Sequence, residues 1–140
     1  MIEDEKPELM FNIVRCIREL LNNSKIFVLD FADVATVLKN SGRSYIFYGK
    51  AEGEHAILNS AKNAINSTCD IFGNCKKMLV GVFFNLENFS MVDINEASTA
   101  IQSAAHSDVE IFESIVDDKT LFDSAETIII ATDNINVEIF

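Results

Sequence analysis

Two aspartates three positions apart, Asp30 and Asp33, stand in the run Leu29-Asp30-Phe31-Ala32-Asp33-Val34, and their type and spacing could do chemistry. The apolar stretch Ile26-Phe27-Val28-Leu29 leads into them, and the spacing of Phe31, Val34, Val37 and Leu38 predicts a short helix over about 30–40, closed by Ser41-Gly42. Asp30 fits the N-cap of that helix and Asp33 the positive end of its dipole, an arrangement worth about 1 kcal/mol. The same carboxylates on a protruding loop would also form an acidic tip able to orient or polarise a water, as general bases do. The two roles are compatible, because a cap can hold a carboxylate in place for a partner.

The remaining polar residues do not assemble a second site. His55 near a helix start and His106 at a helix end read as structural, the latter offsetting a helix dipole. Asp93 and Glu96 have capping-box spacing ahead of Ala97 and Ala100, and Asp117, Asp118 and Asp123 fall in a turn between strands. Cys16, Cys69 and Cys75 form no C-x-x-C pair and read as thiols, Cys16 as a small core residue; a zinc pair of Cys69 and Cys75 with His55 or His106 has the wrong spacing, so no metal ligand set is assigned. Five glycines stand singly, which excludes the glycine-rich loops that cradle phosphates, and no G-x-S-x-G nucleophile motif occurs.

The elements that must carry these residues follow from periodicity. Leu9, Met10, Ile13, Val14, Ile17, Leu20 and Leu21 predict a long helix over about 7–22, with Pro7 in its first turn. From Arg43 onward the pattern predicts strand 43–49, helix 54–67, strand 77–85, helix 93–106, strand 109–116 and strand 125–133. That β-α-β-α-β-β order is an α+β, or α/β, two-layer sandwich: a mixed four-stranded sheet with both helices on one side and the last two strands paired antiparallel. Met78 to Phe84 is apolar at nearly every position, so it should be a central strand covered on both faces, with the first helix as the second cover.

Composition bounds the partners. With 140 residues the chain is expected to be one domain, and 22 acidic against 11 basic side chains give a net charge of −11, which repels nucleic acid and anionic lipid. The acidic start Ile2-Glu3-Asp4-Glu5 is unlike a secretory signal, and no apolar run reaches the roughly 20 residues of a membrane span, so the expectation is cytoplasmic.

The run Asp30-Phe31-Ala32-Asp33-Val34 resembles the synergy loop of the FtsZ/tubulin family, N-x-D-F-A-D-V in FtsZ-like cell division GTPases. Gly49-Lys50-Ala51-Glu52-Gly53-Glu54, followed by Ala61, Ala64 and Ile65, resembles the family's G-x-A-x-G-E…A-x-x-A-I signature. Leu79-Val80, Asn95-Glu96-Ala97 and Ile128-Ile129-Ile130-Ala131-Thr132 fall where members carry similar residues, so the resemblance runs from about Glu8 to Asp133. It implies the C-terminal, activating domain of such a protein: residues 7–22 as the core helix, 23–33 as the synergy-like loop, and the GTP-binding domain with its G-G-G-T-G-[ST]-G loop absent from these residues. By the same resemblance Asp30 and Asp33 would act in trans on the GTP held by the next subunit of a septum-forming polymer, with a magnesium or potassium ion at the contact. The partners implied are FtsZ-like subunits, self or homologous, and the isolated chain would bind no GTP and hydrolyse none. The family's asparagine is Val28 here, its Pro-Gly is Ser24-Lys25 and its arginine after Gly-Glu is Ala56. A scaffold or filament-capping module of the same fold is the alternative, and the exposed side of the first helix would drive self-association.

Overall fold

The structure, a computed structural model, describes residues 11, 12, 14–16, 18, 44–66 and 73–132. Six elements have both ends within these residues: strand β1 (Ser44–Glu52), helix α1 (Ala56–Asn66), strand β2 (Lys77–Phe84), helix α2 (Met91–Ala104), strand β3 (Glu110–Asp117) and strand β4 (Ser124–Thr132). Each boundary lies within two residues of the span that periodicity predicts except the end of β1, which runs three residues further, to Glu52. The six described residues between 11 and 18 are all helical, as expected inside a helix over 7–22. Among the described residues, no helix is long and apolar enough to cross a membrane.

The four strands form one mixed sheet in the order β1-β4-β2-β3, with β2 parallel to β3 and β4 antiparallel to both β1 and β2. The expected antiparallel pairing of the last two strands is therefore wrong. After β3 the chain turns past the end of β2, where the Asp118 N–H donates to the Phe84 carbonyl at 2.9 Å, and β4 then enters between β1 and β2. Burial explains the choice: every described side chain of β4 from Ala125 to Ala131 is buried, and such a strand needs a hydrogen-bonding neighbour on each edge and cover on each face. Beside β3, at the sheet's rim, β4 would have left one edge of that run in water.

β2 is the central strand expected, buried from Met78 to Phe84. Its alternate residues face two separate cores. Met78, Val80, Val82 and Phe84 pack with Ala56, Ile57, Ala61, Ala64 and Ile65 of α1 and Ile94, Ala97 and Ile101 of α2, so both helices cover one face. Leu79 and Phe83 lie on the other face with Val116, Ile128, Ile130 and Cys16, which makes the N-terminal helical residues part of the second cover.

Helix α1 rests directly on β1. A Cβ on Gly49 would collide with the Ser60 carbonyl and the Ala64 amide nitrogen, so only glycine lets the two backbones meet. Small residues at Ser60, Ala61 and Ala64, all fully buried, continue the contact. Gly53 ends β1 at φ +81° and its N–H donates to the Asp123 carbonyl at 2.7 Å, which ties the β1–α1 corner to the turn before β4. The glycines of the 49–54 run thus serve packing and turning.

Candidate functional site

Asp30 and Asp33 lie outside the described residues, as do Val28, the loop over 23–33, the short helix over 30–40 and Cys69. Ala56, where the family pattern carries arginine, is the fully buried first residue of α1 and belongs to the helix-side core. Cys16 and Cys75 are both fully buried thiols, the former in the second core as expected and the latter in the helix-side core, just ahead of β2.

A buried carboxylate stands on the second face of the sheet, among Ile128, Ile130 and Phe83. Glu126 of β4 is 1% exposed; its Oε2 accepts from Arg15 Nη2 at 2.6 Å and from the Tyr48 hydroxyl. Arg15 lies on the N-terminal helical segment and Tyr48 on β1, so the carboxylate joins three elements at one point. Its other oxygen, Oε1, is buried without a hydrogen-bond partner among the described residues. Burial first, then the hydrogen bond and charge of Glu126, push the Tyr48 phenol well above its ordinary range and keep it a neutral donor. A charge this deep is sustained by its partners, and removing one leaves an uncompensated ion. Sequence reasoning missed this cluster, for which the only local signal is an acidic residue inside the run Ala-Glu-Thr-Ile-Ile-Ile.

A second cluster sits at the opposite, helix-covered side, where the β1–α1 corner meets the start of α2. The ligating atoms of His55, Asp93 and Glu96 all lie within 4.8 Å of one another. His55 precedes α1 with φ 62°, a left-handed conformation, and its carbonyl accepts the Asn59 N–H at 2.8 Å, so the imidazole is carried on the corner rather than inside the helix. Asp93 does not cap α2 as the N-cap residue expected. The helix begins two residues earlier at Met91, Ser90 is the N-cap, and Asp93 Oδ2 reaches back to accept the Ser90 N–H at 3.0 Å. Glu96 follows one turn later on the same face. An adjoining cavity of about 410 Å³ is lined by His55 and Asp93 together with Glu54, Asn88, Phe89, Phe122 and Asp123.

Asp118 lies between the strands as the turn expectation has it, whereas Asp117 is still within β3, and both serve structural roles. Asp118 Oδ1 accepts from the Thr120 N–H at 3.0 Å, while Asp117 ends β3, accepts from the Leu86 N–H at 3.1 Å and faces Lys119 at 3.3 Å. His106 does not offset a helix dipole; it lies two residues past α2, and its Nδ1 accepts the Asp108 N–H at 3.0 Å in a turn.

No protein-family model matches the chain. The cell division protein FtsZ 2 of Rhizobium meliloti (strain 1021) is 28% identical over 127 residues, which cover 89% of this chain and 36% of that protein. Among solved structures, an empty FtsZ dimer of M. jannaschii superposes with a TM-score of 0.79 at 23% identity, over 92% of this chain and 38% of that one. CetZ from Methanosaeta thermophila strain DSM 6194 follows at a TM-score of 0.63 and 18% identity, over 89% and 34%. The chain therefore has the fold of the FtsZ/tubulin C-terminal domain and is similar to FtsZ in sequence, while spanning little more than a third of the relatives it matches.

Proposed function

We propose that the chain is the C-terminal domain of an FtsZ-like, polymer-forming cell division protein, that it makes longitudinal contacts between subunits, and that Asp30 and Asp33 complete the GTP site of the next subunit in trans. The observation that carries this reading is the similarity to FtsZ along 89% of the chain, on a shared fold. The fold adds support through the N-terminal helical residues. Their Cys16 and Arg15 side is sealed against the sheet, while Phe11 and Val14 are 66% and 58% exposed, a face that a further domain or subunit would cover.

The chemistry suits such a division. Hydrolysis of a phosphoanhydride needs an attacking water held in line, and a site split between subunits makes that step conditional on assembly. Carboxylates beside phosphates repel unless a cation intervenes, so magnesium or potassium at the contact belongs to the proposal. The nucleotide itself would be held by the neighbouring subunit, because the glycines of the 49–54 run, Gly49 and Gly53, pack a helix and turn a corner.

Mixing the chain with a GTP-hydrolysing polymer of FtsZ-like subunits tests the role. The parent chain and Asp33→Ala are expected to co-sediment equally with the polymer, while only the parent changes GTP turnover through the supplied carboxylate. Identical effects of the two on turnover would reject action in trans and leave a filament-capping module, the reading that Val28 favours because a hydrocarbon cannot orient water or phosphate.

A further inference from the structure

We propose that His55, Asp93 and Glu96 form a site for a divalent first-row transition-metal ion, of the zinc class, at the mouth of the crevice between the β1–α1 corner and the start of α2. The site is independent of Asp30 and Asp33. Three donor atoms around a tetrahedral zinc sit about 3.4 Å apart, given bonds of roughly 2.0–2.1 Å. The three here already lie within 4.8 Å, and His55 and Glu96 are exposed enough to close the difference by side-chain rotation. One imidazole with two carboxylates selects against magnesium and calcium, which take oxygen alone, and three protein donors leave a position for water or for a donor from a partner.

Two features prepare the cluster. Asp93 is held by its bonds to Ser90, and a carboxylate capped through one oxygen can ligate through the other. His55 is held at the corner by a backbone that is pinned at Gly53 to Asp123 and at its own carbonyl to Asn59. The positive end of the α2 dipole, roughly half a charge, opposes a cation there. Asp93 and Glu96, with Glu54 and Asp123 lining the adjoining cavity, oppose it with full charges and outweigh it. Lys62 shares a neighbouring groove with Glu96 and forms no ion pair with it among the described residues, so the carboxylate remains available. A bound ion would tie the corner after β1 to the first two turns of α2.

Calorimetric titration of zinc into the full chain under reducing conditions is expected to show one ion per chain and a rise in Tm. His55→Asn keeps a residue that tolerates the left-handed backbone and removes the imidazole; it and Glu96→Gln should each weaken binding roughly tenfold or more. His106→Asn, past the far end of the 14-residue α2, should leave it unchanged, and millimolar magnesium should not compete. Zinc binding that survives His55→Asn, an equal loss in His106→Asn, or no saturable binding by the parent chain would overturn the assignment, and circular dichroism of each variant separates lost binding from lost fold.

Discussion

Glu126 shows how one side chain can set the terms for three elements. Its Oε2 receives both Arg15 and the Tyr48 hydroxyl while Oε1 stays buried and unpaired, so among the described residues the group has those two donors for partners. The Tyr48 phenol is raised above its unfolded value, so its contribution to stability is fully present below a pH of about 10 and is lost as the pH climbs from there toward the folded value. Tyr48→Phe should therefore be less stable than the parent at pH 7–9, by about 1–3 kcal/mol, with the gap narrowing above pH 10. Urea midpoints of both proteins from pH 7 to 11 check this, and a gap that stays constant to pH 11 would refute it. Nothing in the local sequence announces the network, because Arg15 and Glu126 are 111 positions apart and an acidic residue in a strand ordinarily points to water.

Elements were far easier to read than single contacts, since the 3.6-residue and two-residue periods of α1, α2 and the strands are written into consecutive side chains. Helix starts were legible to within a few residues: capping-box spacing flagged the region of α2 but placed the cap at Asp93 when Ser90 holds it. The contact between α1 and the sheet contains a polar pair that tests the packing. Ser60 Oγ lies 2.8 Å from the Ile57 carbonyl, to which it donates its only proton, so in the 2.7 Å contact with Thr127 it must accept. Both residues are fully buried. Ser60→Ala strands the Thr127 hydroxyl and should cost about 1–3 kcal/mol; Thr127→Val leaves Ser60 satisfied and should cost less than about 1 kcal/mol. Chemical denaturation with unchanged m values would measure both, and equal costs would show the donor assignment to be wrong.

At the scale of the whole molecule, the described N-terminal helical residues are sealed on one side by the sheet and leave Phe11 and Val14 open on the other. Burying such side chains at a contact contributes about 1.5–3 kcal/mol each. The isolated chain is expected to self-associate with concentration, and Phe11→Ser with Val14→Ser together should raise the dissociation constant roughly tenfold or more. Light scattering that reports a monomer at every concentration would sink this expectation. By itself the sequence determined the element order, the buried β2, the placing of both helices on one face and the resemblance that runs from about Glu8 to Asp133, because each is carried by neighbouring residues or by their order. Only the tertiary structure decided that β4 lies between β1 and β2, that Glu126 binds Arg15 and Tyr48, and that His55 meets Asp93 and Glu96. Those outcomes turn on which distant surfaces bury each other best, a competition settled by packing and desolvation across the whole chain and encoded in no local stretch of it.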